Sequence, residues 1–302
     1  MLMEAARAKL AVSPELNPGD PAYWKIRDVI YQYSGIYHSE DKIYVLVPGC
    51  AQRMAALGAA SPSEYLKHLT ARANGGAEMR LLLNEISVGE TYMFRHPSQM
   101  DALRQVILPE MLRAKSGSGP NRLRFWSAGC STGEEPYTLA MVLLEEKDKL
   151  LADWTWEILA TDLNDNSLET ARAGIYSEHA LRNTSDALRR KYFKDAGDGK
   201  FQAIGPLRDR IRFDRVNLGD DNQMLSQSAF DVIFCCNVLI YFDLDSKRRV
   251  VRHFYSNLLP GGYLFLGQAE SLFHVDDSFR LVHFQGTTAY WNPAALKTGG
   301  GQ

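Results

Sequence analysis

Trp126-Ser127-Ala128-Gly129-Cys130-Ser131-Thr132-Gly133-Glu134-Glu135-Pro136-Tyr137 is the stretch on which the reading of this chain turns. Leu123-Arg124-Phe125-Trp126 before it predicts a buried parallel strand. Tyr137, Ala140, Met141 and Leu144 after it recur on one face of a helix. Strand, glycine turn, helix is the unit at which open α/β sheets hold nucleotide-like ligands, since glycine lets the backbone approach closely. A phosphate site at such a place aims bare N–H groups and a helix N-terminus at an anion. Here Glu134 and Glu135 occupy that helix start, and neither G-x-x-x-x-G-K-[ST] nor G-x-G-x-x-G occurs in the chain. Two carboxylates repel phosphate. They suit a ligand with positive groups, and S-adenosylmethionine carries a sulfonium and an amine. Acids at a helix start also stabilise the helix dipole on their own account, so both readings stay open for either residue.

The 302 residues and ordinary apolar content allow two domains with full cores. A net charge of −2 argues against nonspecific nucleic-acid binding. The four cysteines, at 50, 130, 235 and 236, have neither metal-ligand spacing nor a disulfide framework, which points to a reduced, cytoplasmic setting. The N-terminus lacks the layout of a signal peptide. The longest apolar run, Phe230 to Phe242, is too short to span a membrane and contains Asp231 and Asn237. A cytoplasmic monomer without membrane insertion or metal is expected.

Working outward, residues 1–88 read as an all-helical domain. Ile26, Val29, Ile30 and Tyr33 follow the helical period, Ser61-Pro62-Ser63-Glu64 is a capping box, and a helix is expected from Ala77 to Ile86 after Asn74-Gly75-Gly76. Residues 89–121 form a linker and a helix opened by Pro97, followed by a loop at 116–120. From 122 to 293 strands and helices alternate, which implies a parallel, Rossmann-like α/β sheet. Its strands are expected at 123–126, 156–161, 231–236 and 263–267, with a helix from Arg248 to Leu259 and a terminal hairpin around Gly286. Leu259-Pro260-Gly261-Gly262 reads as the turn into the fourth of these strands. A small antiparallel β insertion with one helix interrupts the alternation at about 175–212, and 294–302 reads as a flexible tail.

The candidate site residues lie at strand ends. Asp162 follows the second strand, where a carboxylate grips a ribose diol in Rossmann-like sheets. Asn217-Leu218 suits an adenine edge and face, although Asn is also a common turn residue. Asn237 follows the most apolar strand, with Tyr241 and Phe242 beyond it; an aromatic face favours a sulfonium. Thr91-Tyr92-Met93-Phe94-Arg95 joins the two domains, and Arg95 can neutralise a carboxylate with a forked pair of hydrogen bonds or serve as an interdomain ion pair.

Taken in order, Glu90 to Arg95, Trp126 to Tyr137, Thr161-Asp162, Val216-Asn217-Leu218, Phe230 to Phe242, Leu259 to Gly262 and Gln268-Ala269-Glu270-Ser271-Leu272 resemble the chemotaxis receptor methyltransferases of the CheR type. The resemblance implies transfer of a methyl group from S-adenosyl-L-methionine to glutamate side chains on the cytoplasmic helices of methyl-accepting chemoreceptors, leaving S-adenosyl-L-homocysteine. By position, Thr91, Arg95, Glu134, Asp162, Asn217, Leu218, Cys236 and Asn237 are similar to the family's cofactor contacts, and Arg95 and Tyr241 to the residues nearest the reacting groups. Of the two acids, Glu134 is expected at the amino-acid end of the cofactor and Glu135 as a helix-start charge. Regulatory proteins are further partners such a role implies.

Departures from the family pattern are Gly89 for Asn, Met93 for Phe, and Cys236 where Arg commonly stands. The usual basic second helix is here the mostly uncharged stretch Val45 to Arg53, and residues 1–88 carry nine basic and nine acidic side chains. The short turn from Asp195 to Lys200 argues against tethering to a receptor tail peptide. Rival readings are a cofactor-sensing module without turnover, or a methyltransferase for another acceptor.

Overall fold

The computed structural model describes residues 17–87, 89–117 and 119–293. The expected tail at 294–302 lies outside the described residues. The N-terminal unit contains α1 (Pro21–Ser34), a 3-10 turn (Glu40–Val45), α2 (Leu46–Leu57), α3 (Pro62–Thr70) and α4 (Gly75–Ile86). Ile26 and Ile30 of α1 are fully buried, as their spacing predicts, against Leu46, Tyr65, Leu82 and Leu83. Ser61 caps α3 by accepting the Glu64 N–H at 3.2 Å, and the Glu64 carboxylate accepts the Ala60 N–H at 2.8 Å.

A helical segment follows: α5 (Pro97–Ala102), a π turn (Leu103–Ile107) and α6 (Leu108–Lys115). The α/β unit then runs β1 (Arg122–Ala128), α7 (Glu134–Glu145), β2 (Thr155–Asp162) and α8 (Asp165–Ala173). The insertion holds β3 (Ile175–Ser177), α9 (Asp186–Tyr192), β4 (Phe193–Gly197), β5 (Lys200–Ala203) and α10 (Gly205–Arg208). The chain closes with β6 (Ile211–Arg215), α11 (Asp221–Leu225), β7 (Phe230–Cys235), α12 (Leu244–Asn257), β8 (Leu258–Leu266), β9 (Arg280–Phe284) and β10 (Thr287–Trp291).

The main sheet has the order β6-β2-β1-β7-β8-β10-β9, parallel from β6 through β8 and antiparallel where the β9–β10 hairpin joins it. Apolar clusters cover both of its faces, one including Phe125, Phe234 and Phe265, the other Trp126, Phe230 and Phe254. The insertion forms its own sheet, β3-β5-β4, and Ile211 already belongs to the main sheet. Two sequence expectations shift. The last helix begins at Leu244, where the Asp243 carboxylate caps it through the Ser246 N–H at 2.9 Å. Pro260-Gly261-Gly262 lies within β8, at an irregularity in its register with β7.

The helical unit docks beside the carboxyl ends of the parallel strands. Ile36 bridges Phe242, the Tyr37 N–H donates to the Tyr241 carbonyl at 2.8 Å, and the Asn84 carbonyl accepts from the Asn164 amide at 3.0 Å. Among the described residues no single helix is long and apolar enough to cross a membrane.

Candidate active site

The turn after β1 bends back over the end of β2. Gly129 (φ 80°) and Gly133 (φ 96°) take left-handed conformations open to glycine, and the Gly129 and Cys130 N–H groups both donate to the Thr161 carbonyl, at 2.8 and 2.9 Å. Ser131 is held at φ 50° despite its side chain. Its N–H donates to one oxygen of Asp162 at 2.7 Å, and the Asn164 N–H donates to the other at 2.8 Å. Burial pushes the Asp162 carboxyl up, opposed by these N–H donors. The carboxylate stays partly accessible, with an acceptor site left on each oxygen. The Ser131 hydroxyl beside it is buried without a hydrogen-bond partner. A Cβ on Gly89 would overlap that hydroxyl, so the chain brings bare backbone to this wall.

The two acids of α7 have different surroundings. Glu134 is 4% exposed and accepts from the Thr132 hydroxyl at 2.7 Å; it faces the Tyr176 side of the turn. Glu135 leans over the end of β1, accepting from the Ser127 hydroxyl at 2.6 Å, and its charge faces Cys236, Glu270 and Arg95. Burial pushes its carboxyl up to about 7, against the hydrogen bonds from Ser127 and Cys236. Glu135 is half-buried, and neither acid has an ion-pair partner among the described residues.

Arg95 reaches this cleft from the interdomain segment. Phe94 takes φ 54°, and its N–H donates to the Thr138 hydroxyl at 3.0 Å, which itself donates to the Glu134 carbonyl at 2.7 Å. The strained turn is thus bolted to α7. The Arg95 guanidinium bonds the Glu90 carbonyl at 2.6 Å and has no carboxylate partner among the described residues, which excludes the interdomain ion pair. Thr91, on the same segment, is half-buried.

Opposite lies the loop after β7. Asn237 has φ 61°, and the N–H groups of Asn237, Val238, Ile240 and Gly267 all donate to the Glu270 carboxylate, at 2.7, 3.0, 3.2 and 2.7 Å. Four converging N–H donors make Glu270 the clamp of this loop. His96 Nε2 lies 3.0 Å from Asn237 Oδ1. Burial lowers the His96 pKa, which keeps the ring neutral, so the expected tautomer donates to Asn237. Tyr241 ends the loop, 39% exposed, its phenol pKa raised by burial, with Arg95 acting against the shift. The Cys236 thiol meets Gln99 Oε1 at 3.4 Å and lies beside Glu135; burial pushes its pKa well up, so it contributes no charge.

The Asn217 amide has partners within the protein. Its Nδ2 donates to the Tyr33 carbonyl at 2.6 Å and its Oδ1 accepts the Gly219 N–H at 3.0 Å, fastening the helical unit to the sheet. Leu218 is 8% exposed. The structure therefore brings Arg95, Glu134, Glu135, Asp162, Cys236, Asn237 and Tyr241 to one end of the sheet, while the Asn217 amide fastens the helical unit. Sequence reasoning missed Ser127, His96 and Glu270; for Glu270 the signal was its place in the Gln268–Leu272 segment.

Residues 21–87 match the family model described as CheR methyltransferase, all-alpha domain, and residues 89–288 match CheR methyltransferase, SAM binding domain. The chain belongs to the CheR methyltransferase family. Chemotaxis protein methyltransferase 2 of Vibrio cholerae is 36% identical over 91% of this chain and 93% of its own length. Chemotaxis protein methyltransferase 1 of Pseudomonas aeruginosa is 35% identical over 82% and 89%. Among solved structures, magnesium protoporphyrin IX methyltransferase of Synechocystis, with bound SAM, is 10% identical over 93% of this chain and 98% of its own, at a TM-score of 0.35. This CheR-family chain is a methyltransferase that uses S-adenosylmethionine.

The cleft fits that cofactor. Glu135, with no protein cation paired to it, matches an ammonium group, and Asp162, with acceptor capacity on both oxygens, matches a diol. The unpartnered Ser131 hydroxyl offers a further polar contact.

Proposed function

We infer that this methyltransferase esterifies glutamate side chains on the cytoplasmic helices of chemoreceptors, acting in the cytoplasm. The observation that carries the reading is Arg95, a guanidinium without a carboxylate partner, held at the cleft where Glu135 and Tyr241 face it. When bound, S-adenosylmethionine supplies an electrophilic methyl group. Asp162 would hold the ribose, Glu135 the amine, and the backbone at Asn217–Leu218 the adenine, with Thr91, Cys236 and Asn237 lining the remainder.

The substrate glutamate, with a pKa near ~4.3, is ionised at neutral pH and needs no general base. Arg95 orients that carboxylate through its donors. Tyr241, set by the Glu270-clamped loop, narrows the mouth and helps exclude water. Catalysis then comes from alignment rather than proton transfer.

Tritiated S-adenosylmethionine incubated with the protein and receptor cytoplasmic fragments should leave label on glutamate that alkali releases as methanol. Label that survives alkali, or none on any receptor fragment, would overturn the receptor reading.

A further inference from the structure

In this chain the arginine of the second helix is consumed internally. Arg53 makes a bidentate pair with Glu78 at 2.9 and 2.8 Å, Tyr65 donates to the same carboxylate at 2.9 Å, and the arginine side chain is 15% exposed. That helix offers no free guanidinium to an acidic partner. Unspent positive charge appears instead at the cleft's outer rim. Arg182, exposed on the turn between β3 and α9, stacks on the Tyr92 ring with its guanidinium carbon 3.4 Å from the ring centroid. Arg95 approaches the same ring at 6.0 Å. The row Arg95–Tyr92–Arg182 therefore leads outward from the reacting end of the site.

This row is built into the fold. The Met93 N–H donates to the Ala180 carbonyl at 2.9 Å, which fixes the turn of the insertion against the interdomain segment. The Arg182 Nη1 donates to the His179 carbonyl at 2.8 Å, and among the described residues no carboxylate pairs with it; the neighbouring Glu178 pairs with Arg189. Stacking on an aromatic face leaves the edge of a guanidinium free to donate to a carboxylate.

We propose that the Tyr92–Arg182 stack is a substrate-recognition element that grips an acidic side chain one helical turn from the methyl-accepting glutamate, while Arg95 holds the acceptor itself. Residues one turn apart on a helix stand about 5–6 Å apart at Cβ, a separation that two long arginine side chains flanking one ring can bridge. The inference rests on the receptor-methylating reading and deepens it.

The test is methyl transfer to a chemoreceptor cytoplasmic fragment by the wild type and by Arg182→Glu, Tyr92→Leu and Arg182→Lys, with S-adenosylhomocysteine affinity measured on each. Arg182→Glu should raise KM about ten-fold with kcat nearly unchanged and cofactor affinity intact, as expected for a lost charge contact at an interface rim. Arg182→Lys should recover part of the loss. The KM of the wild type should rise with salt more steeply than that of Arg182→Glu. Replacing the acid one turn from the acceptor on the fragment should raise the wild-type KM and lower that of Arg182→Glu, where it relieves like-charge repulsion. An unchanged KM in both Arg182→Glu and Tyr92→Leu overturns the proposal while leaving the receptor reading standing. No transfer by the wild type overturns the receptor reading itself, and this proposal with it.

Discussion

The two ends of the central sheet both bury acids, but only one end gives its acid a cation. At the amino end, Asp231 is 2% exposed, accepts from Lys115 Nζ at 2.7 Å and from the Arg124 N–H at 2.8 Å. Burial pushes its pKa up and Lys115 opposes this most strongly. At the carboxyl end, Glu135 and Asp162 take their hydrogen bonds from neutral hydroxyl and N–H donors, and Arg95 and Arg215 face them without pairing. Glu78 in the helical unit, paired with Arg53, repeats the amino-end solution. A buried acid paired with a protein cation is already neutralised; a buried acid among neutral donors leaves its charge available to a ligand that brings positive charge or hydroxyl groups.

The contrast can be broken in order of expected effect. Arg95→Ala should slow methyl transfer by roughly 10²–10³-fold, since alignment of the acceptor is lost, while S-adenosylhomocysteine still binds. Full transfer rate with full cofactor occupancy would remove Arg95 from the reaction. At the other end, Asp231→Ala should cost about 2–4 kcal/mol of stability in chemical denaturation, by stranding the Lys115 contact and the Arg124 N–H, with cofactor affinity held once the protein is folded. A large affinity loss there would erase the distinction between the ends. Glu135→Gln should weaken S-adenosylhomocysteine binding at pH 8 by roughly 10–30-fold, the worth of a charge-assisted hydrogen bond, in calorimetry. The smallest effect is expected for Glu134→Gln, whose affinity should stay within about three-fold of wild type, because its side chain is 4% exposed and already accepts from Thr132. If the two glutamine variants exchange these outcomes, the orientation of α7 has been misread.

Much of the fold was legible because local chemistry and packing agree. The β1–glycine turn–α7 unit and the Ser61 capping box both appear where their residues predict. The start of α12 was missed because Leu244-Asp245-Ser246-Lys247 carries no apolar period; only the Asp243 cap marks it. The choice between Glu134 and Glu135 was not legible. Adjacent helical residues point about 100° apart, and only the seating of α7 on the sheet decides which one meets the cleft. The partner of the Asn217 amide was not legible for a related reason: the Tyr33 carbonyl comes from the helical unit 184 positions away. Glu270 clamps Asn237 across 33 positions, which no periodicity reports.

The central claim is that Glu135 is kept free of protein cations so that it can meet the positive end of the cofactor. It is tested most directly by the affinity for S-adenosylhomocysteine as a function of pH. With its carboxyl raised to about 7, Glu135 is charged above that pH and neutral below it. The ligand's ammonium favours the charged form, so affinity should be greatest above pH 7 and weaken by roughly ten-fold between pH 8 and pH 6. In Glu135→Gln the same profile should be flat. A wild-type affinity that does not change over that range, or a Glu135→Gln variant that keeps the slope, would contradict the account.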